Sequence, residues 1–254
     1  MDTPRRTHRP LSGAALEGAA AESILTWAFE RFERVAIVAS FQAESVVLMD
    51  MACRIRPHVD VITLDTGRLP QETHDLIDVL RRRLPLRLRV VSPDPDELEA
   101  MVAEHGVNLF HRSPELRRHC CDVRKARPLA RALEGYGAWV TGLRREQSES
   151  RAGTPVVALD RAHGGIVKIA PLATWSRERV REYLETHDLP QHALYGRGYT
   201  SIGCAPCTRA TRPGEDERAG RWWWEIGAVK ECGLHAAEIT HAGGTAVAAP
   251  GAIA

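Results

Sequence analysis

Six cysteines stand in this chain of 254 residues, and their spacing indicates the chemistry they can do. Cys120 and Cys121 are adjacent, whereas Cys204 and Cys207 are separated by two residues. Six cysteines are too sparse for a disulfide scaffold, and adjacent cysteines rarely bridge each other because the ring is strained. The Cys-x-x-Cys spacing is typical of two thiolates on one metal centre. The four thiols therefore match an iron–sulfur cluster or a structural zinc, and the residue types favour neither.

Basic residues surround the adjacent cysteines. Residues 117–125 carry three arginines, a histidine and a lysine, which would offset the charge of thiolates and of a bound anion. Arg218 and Arg221 stand just before three consecutive tryptophans, where arginines could clamp an anion and the tryptophans are expected to pack the segment. A redox-active Cys-x-x-Cys disulfide is the weaker alternative, because Pro206 lies in a predicted loop without a thioredoxin-like context.

The two remaining cysteines have different surroundings. Cys232 lies near the C-terminus among glycine and charged residues, with no predicted strand or helix face to bury it. A partly exposed thiol near cations ionises readily and acts as a nucleophile, which is the role we predict for Cys232. Cys53 stands in an apolar helical pattern and is predicted to be a core residue.

Alternating patterns predict the elements that must position these thiols. Short apolar runs predict strands at residues 35–40, 59–64, 86–91, 138–141 and 166–170, with helical patterns between them. Residues 14–33 are predicted to form one helix before the first strand. The alternation predicts an α/β fold with a doubly wound, mostly parallel sheet and ligand loops at the carboxyl ends of its strands.

The domain organisation is predicted as one domain. Its core would span about residues 14–190, and an irregular segment at 191–235 would carry the second cysteine pair and Cys232. Residues 236–254 are rich in small residues and glycine and are expected to be disordered.

Three polar loops follow predicted strands at the same edge of the sheet. Residues 40–45 lead into a helix, whose N-terminal N–H groups and dipole favour an anion, although the loop contains no glycine. Residues 64–68 and 141–148 form the other two loops. Arg144 and Arg145 in the third loop suit phosphate or sulfate. Three such loops together indicate a ligand site more strongly than any one of them.

Composition excludes several classes of protein. Lys plus Arg number 34 against 33 Asp plus Glu, a net charge of +1 that argues against a general nucleic-acid binder. No apolar run approaches the roughly 18–20 residues that span a bilayer, and the polar N-terminus lacks the apolar core of a secretory signal. We therefore expect a cytoplasmic protein with neither a nucleic-acid nor a membrane partner.

These motifs, in this order, resemble the assimilatory sulfonucleotide reductases. The match is to the iron–sulfur type of adenylylsulfate (APS) reductase, in the PAPS/APS reductase family. It extends over about residues 27–235. It rests on the three loops, the double cysteine with Arg124 and Lys125, the Cys-x-x-Cys, residues 213–225 and the final Glu-Cys-Gly-Leu-His at 231–235.

The resemblance implies a modified pyrophosphate-loop fold and a specific reaction. Cys120, Cys121, Cys204 and Cys207 would ligate a [4Fe–4S] cluster. Cys232 would attack the sulfur of APS, expel AMP and become an S-sulfocysteine, from which thioredoxin would release sulfite for cysteine biosynthesis. Because AMP is the leaving group, the attack needs no electron from the cluster, and we expect the cluster to act electrostatically or structurally. The resemblance assigns substrate binding to Ser40, Phe41, Gln42, Ser45, Asp65, Thr66, Gly67, Lys125, Gly142, Arg145, Arg218, Arg221 and His235.

Three alternatives differ from this expectation. A 3′-phosphoadenylylsulfate (PAPS) reductase would use the same chemistry on a substrate with one more phosphate. An ATP-using pyrophosphate-loop enzyme of sulfur transfer is disfavoured by the missing loop glycines. A non-catalytic thiolate–metal regulator would not need Cys232. No thioredoxin-like domain follows the motifs, so the reductant is expected to be a separate protein, and the sequence is compatible with a homo-oligomer.

Overall fold

A computed structural model describes residues 13–225 together with Glu231 and Leu234. Its six-stranded sheet has the order β3-β2-β1-β4-β6-β5. Every neighbouring pair is parallel except β5 and β6, which are antiparallel. The predicted doubly wound, mostly parallel α/β fold is thereby confirmed. The strands are β1 Val35–Val38, β2 Val59–Leu64, β3 Leu86–Val91, β4 Ala138–Val140, β5 Val157–Asp160 and β6 Ile166–Ile169.

Helices connect the parallel strands and cover the sheet. Three of them begin at side chains that accept hydrogen bonds from free backbone N–H groups: Asp94 caps α5, Ser113 caps α6 and Ser176 caps α8. Such caps stabilise a helix start by roughly 1 kcal/mol. The helices are α1 Gly13–Glu17, α2 Ala21–Arg31, α3 Ala43–Ile55, α4 Gln71–Arg83, α5 Pro95–His105, α6 Pro114–Cys121, α7 Arg127–Ala132 and α8 Arg177–Thr186.

Strand β1 explains why both faces of the sheet are covered. Ile37 belongs to a core cluster shared with α2 and α3, whereas Ala36 belongs to a cluster on the other face with Trp139 and Leu129. Both β1 side chains are fully buried, as expected when successive residues of a strand point to opposite faces. The continuous apolar run of β1 is thus a consequence of burial on both sides.

One predicted helix is wrong, and two elements, β5 and α6, were not predicted. Residues 14–33 do not form one helix, because Gly18 and an extended backbone at Ala20 separate α1 from α2. Strand β5 was not predicted. It is an edge strand of four residues, Val-Ala-Leu-Asp, with one buried side chain, and it is held in the sheet by antiparallel pairing with β6.

The topology places the candidate loops together. The connections wind to one side from β1 through β2 to β3 and return to β4 on the other side of β1. In sheets of this kind ligands bind where the winding reverses, which here is at the carboxyl ends of β1 and β4. Within the described residues, no helix combines the length and apolar character needed to cross a membrane.

Candidate functional site

The four predicted ligand cysteines lie around one small pocket. Cys120 and Cys121 end α6, and Cys204 and Cys207 flank a short 3₁₀ turn. All four thiols are free, and each residue is 7% or 8% exposed. The structure therefore brings together thiols from two segments that are distant in the chain, as their residue types predicted.

A turn of π-helix at Asp122–Ala126 directly follows the adjacent cysteines. The wider turn interrupts the α-helical register between Cys121 and α7, and such turns are frequent at functional sites. Arg124 and Lys125 belong to this turn and also line the four-cysteine pocket. The local backbone therefore directs thiols and cations to one place.

Cations counteract the burial of the thiols unequally. Burial opposes ionisation of Cys204, but Lys125, a hydrogen bond from Thr66 and further arginines hold its pKa below the ordinary value. Burial raises the pKa of Cys207 to about 12, and the sulfurs of Cys204 and Cys121 act in the same direction. Burial likewise raises the pKa of Cys120 against the effect of Arg124. Because burial and the neighbouring sulfurs oppose ionisation, all four thiols can become thiolates together only if positive charge is bound among them.

Buried N–H donors face the same pocket. Among the described residues, Nε of Arg124, Nε of Arg221 and Nε1 of Trp222 are buried without a hydrogen-bond partner, and all three side chains line the pocket. Unsatisfied buried donors cost about 1–3 kcal/mol each, which points to an acceptor that belongs there. Gly203 admits the Arg221 guanidinium, because a Cβ at that position would overlap it.

The predicted anion loop connects β1 with α3. Ser45 Oγ accepts a hydrogen bond from Ser40 N at 3.0 Å, and Gln42 Oε1 accepts one from Ile202 N at 2.7 Å. Phe41 is buried and has φ +57°, a left-handed conformation that usually falls to glycine. The missing glycine therefore did not prevent a tight loop, and strain of this kind clusters at functional sites.

The loop after β2 joins the cysteine pocket to the sheet edge. Thr66 is buried, and its hydroxyl lies 3.3 Å from Cys204 Sγ. Asp65 accepts a hydrogen bond from Gly67 N at 2.9 Å. The carbonyl of Arg68 accepts one from Ala205 N at 2.8 Å. The second loop and the Cys-x-x-Cys turn are therefore in direct contact.

The two arginines of the third loop, which follows β4, have different surroundings. Arg145 binds the carbonyl of Thr154 and pairs with Glu17 at 2.6 Å, so its guanidinium already has partners of its own. Arg144 is 1% exposed and pairs with Glu44 at 2.8 Å and with Glu217 at 3.1 Å. Substrate binding by Arg145 stays a prediction, and Arg144 holds the loop against the start of α3.

The predicted C-terminal residues are described in part. Arg218 and Arg221 are both buried, and Arg221 Nη1 donates to the carbonyl of Ile202 at 3.2 Å. Trp222 packs among the four cysteines, in agreement with the packing role predicted for the tryptophans. Trp223, in contrast, is 41% exposed. The predicted nucleophile Cys232 and the predicted substrate residue His235 lie outside the described residues.

Sequence reasoning missed three buried ion pairs that assemble this site. Each joins residues far apart in the chain: Arg117 with Glu225, Arg144 with Glu44 and Arg151 with Glu231. Every one of these arginines stands in a basic or polar stretch that resembles a solvated surface. The only sequence signal was that several carboxylates and arginines recur in the segments that carry the cysteines.

Comparisons with known proteins agree with this geometry. Residues 34–210 match the phosphoadenosine phosphosulfate reductase domain. The adenosine 5′-phosphosulfate reductase of Burkholderia cepacia is 47% identical over 219 residues, covering 86% of this chain and 87% of that protein. The protein of the same name from Allochromatium vinosum is 46% identical, with 87% and 86% covered.

Solved structures share the fold. A phosphoadenylyl-sulfate reductase from Candida auris, in a phosphate complex, superimposes with a TM-score of 0.65 at 26% identity, covering 81% of this chain and 98% of that one. An FMN adenylyltransferase of Candida glabrata gives a TM-score of 0.52 at 13% identity, covering 87% and 81%, and this shows the fold alone. The resemblance found in the sequence is confirmed, and with it the expectation of an oxidoreductase that acts on sulfur. The chain belongs to the phosphoadenosine phosphosulfate reductase family.

Proposed function

We propose that the chain reduces APS, the compound also called adenosine 5′-phosphosulfate, to sulfite and AMP with thioredoxin as reductant. The observation that carries the proposal is the convergence of four free, buried cysteines and several cations beside the loops at the carboxyl edge of the sheet. The named relatives support APS as the substrate. A thioredoxin-linked reaction that needs free thiols suits the reducing cytoplasm.

The four-cysteine pocket fits a [4Fe–4S] cluster. Its donor set is four thiols, and the partnerless N–H groups of Trp222, Arg124 and Arg221 suit sulfur acceptors. The family resemblance, and not the donor set alone, favours the cluster over a single zinc. When bound, the cluster would supply a fixed local charge next to the substrate.

The proposed chemistry needs only thiols and cations from the protein. The Cys232 thiolate forms a bond to the sulfur of APS, the bond from that sulfur to the phosphate oxygen breaks, and AMP leaves with the electron pair. A thioredoxin thiolate then attacks Sγ of Cys232 and sulfite leaves with the electrons of the sulfur–sulfur bond. The second thioredoxin thiol closes a disulfide and frees Cys232, so the dithiol supplies both electrons.

Positive charge is the contribution expected from the rest of the site. APS brings anionic oxygens beside the sulfur that an anionic nucleophile must approach. Lys125, Arg218 and Arg221 are the residues proposed to offset this charge, because preorganised cations stabilise charge that develops in a transition state.

The test uses protein purified without oxygen. Iron and sulfide are measured, and sulfite release is followed from APS and from PAPS with thioredoxin. We expect Cys232→Ser to abolish sulfite release and leave iron content unchanged, because that thiol is the nucleophile and not a ligand. Cys204→Ser should lose iron. Cys53→Ser is the matched control and should keep both properties, since Cys53 lies in α3, belongs to the main core cluster and donates to the carbonyl of Pro85, and it does not line the four-cysteine pocket. Turnover by Cys232→Ser would contradict the assignment.

PAPS is the second candidate substrate. The similarity to the Candida auris phosphoadenylyl-sulfate reductase favours it, because that enzyme shares the fold over most of both chains. The same assay decides between APS and PAPS, since only PAPS requires the site to accept a 3′-phosphate.

A further inference from the structure

We propose that Glu231 is a positioning residue, clamped by Arg151, that seats Cys232 for attack. The inference rests on the proposed function, in which Cys232 is the nucleophile. It assigns a task to Glu231, which the Glu-Cys-Gly-Leu-His motif contains without a stated role, and to Arg151, which lies outside the predicted loops and motifs.

The clamp is a forked, buried ion pair. Arg151 Nε lies 2.7 Å from Glu231 Oε1, and its Nη2 lies 2.8 Å from Oε2. The Glu231 side chain is 4% exposed and that of Arg151 is 11% exposed. Two parallel charge-assisted hydrogen bonds fix the orientation of a carboxylate as well as its position. Arg218 Nη2 adds a longer contact of 3.4 Å from the segment predicted to bind substrate.

The Glu231 backbone is held from a second direction. Arg117 Nη1 donates to the Glu231 carbonyl at 2.8 Å. Arg117 lies in α6, one helical turn before Cys120, and is itself fixed by Glu225 at 2.9 and 3.0 Å and by the face of Trp222. The helix that presents two of the four pocket cysteines therefore also holds the residue that precedes Cys232.

A second anchor follows Cys232 closely. Leu234 packs against the core cluster that contains Ala36, Ile62 and Trp139. Only Cys232 and Gly233 separate this anchor from Glu231. Consecutive Cα atoms are about 3.8 Å apart, so fixing Glu231 and Leu234, which are three steps of this length apart, restricts the positions open to Cys232.

Arg151 is preorganised for this task. Its Nη1 donates to Gln147 Oε1 at 2.5 Å, and Gln147 Nε2 donates to Glu44 Oε1 at 3.0 Å. Glu44 lies in the first turn of α3, directly after the predicted anion loop. The clamp is thus supported by the same element that is expected to receive the substrate, which suits a residue that must set the distance between thiol and sulfur.

The test compares Glu231→Gln, Arg151→Gln and their double variant with the wild type, all as iron-loaded protein. Each is expected to lower kcat and the single-turnover rate of S-sulfo formation on Cys232 about tenfold, because misplacing a reacting group is costly. KM for APS and affinity for AMP should stay within about twofold, and hydrogen exchange in the peptide containing Cys232 should increase. The double variant should be no worse than either single variant, since both remove one interaction.

The control is Glu215→Gln, which removes one carboxylate from a similar fork with Arg209, at 2.8 and 2.9 Å. It should behave like wild type. Unchanged adduct formation and unchanged exchange in Glu231→Gln would overturn the clamp. If wild-type protein forms no adduct on Cys232, the proposed function fails, and the exchange measurement alone then decides whether Glu231 holds the segment.

Discussion

Three mostly buried arginines each donate hydrogen bonds to carboxylates from a distant part of the chain: Arg117, Arg144 and Arg151. Burying a charge is costly, so such pairs contribute little net stability relative to an apolar replacement, whereas removing one partner is strongly destabilising. Their more useful property is geometric, because a planar guanidinium fixes the orientation of its carboxylate. At the residue scale these arginines connect the segments that carry the thiols.

Arg117 provides a test of this view. Arg117→Ala would leave the Glu225 carboxylate buried without its cation, since both side chains are almost inaccessible. We expect the free energy of unfolding to fall by about 3–5 kcal/mol. The adjacent Arg118 makes an exposed pair with Glu115, and Arg118→Ala should cost less than about 1 kcal/mol. Urea unfolding of both variants, without oxygen, measures the difference, and equal losses would argue against the distinction.

Close contact between elements shapes the carboxyl edge of the sheet, where the nucleotide is predicted to bind. Gly142 follows β4, and a Cβ there would lie 2.8 Å from Cβ of Glu44 in the first turn of α3. Real Cβ atoms essentially never approach so closely, so the side chain is excluded by the helix start. The small residue thus lets the third loop lie directly against the helix whose N-terminus is predicted to face the anion.

Gly142→Ala is therefore expected to push the third loop away from α3. Affinity for AMP should fall about tenfold, because the groups at this edge of the sheet are displaced by a fraction of an ångström or more. Gly153→Ala is the matched control, since nothing lies within 4 Å of its added Cβ. Isothermal titration with AMP measures both variants. Wild-type affinity in Gly142→Ala would show that the close approach has no bearing on the nucleotide.

At the scale of the whole molecule, a buried polar cluster contributes to pH-dependent stability at the β5–β6 edge. Asp160 accepts hydrogen bonds from His163 at 2.7 Å and from Trp139 at 3.0 Å, and buried Lys168 lies over the Trp139 ring. Burial alone would raise the pKa of Asp160, but His163, Lys168 and Trp139 together lower it. Its ionised form therefore stabilises the fold above the ordinary aspartate pKa and loses this effect as the pH falls through the folded value.

Asp160→Asn should accordingly destabilise the protein at neutral pH by about 1–3 kcal/mol. The difference from wild type should begin to shrink as the pH falls below about 4, the ordinary aspartate pKa, and should be lost only when the pH falls through the lower pKa of folded Asp160. Asp78→Asn, on the exposed face of α4, should stay within about 0.5 kcal/mol at every pH. Urea unfolding between pH 7 and pH 3 records both, and a pH-independent loss in Asp160→Asn would contradict the electrostatic explanation.

Local patterns predicted most of the fold. The bounds of β2 and β3 agree with those predicted from the sequence, residues 59–64 and 86–91. Burial selects the apolar residues of β2, whereas β3 alternates leucine with exposed arginine before Val90 and Val91. Strand β5 escaped prediction, since its position depends on pairing with β6 and not on its own composition. Helix α6 was missed because its polar residues 115 and 117–119 obscure the helical pattern.

The candidate site was predictable where residue type and local spacing alone indicate the chemistry. The cysteines and the polar loops could be recognised in this way, and the structure brings the four pocket cysteines together. The partners that position them could not be recognised from the sequence, because a pair such as Arg151 and Glu231 is separated by 80 positions and follows no local period. Cys232 and His235, outside the described residues, stay predictions together with the substrate residues and the domain limits.

The distance along the chain between the two cysteine pairs has a further consequence, for chain entropy. A centre bound by all four thiols would close a loop of roughly 80 residues, which contains α7, β4, β5, β6 and α8. A crosslink of that length restricts the unfolded chain far more than the folded one. Oxidative loss of such a centre would therefore lower the free energy of unfolding as well as remove a group from the site.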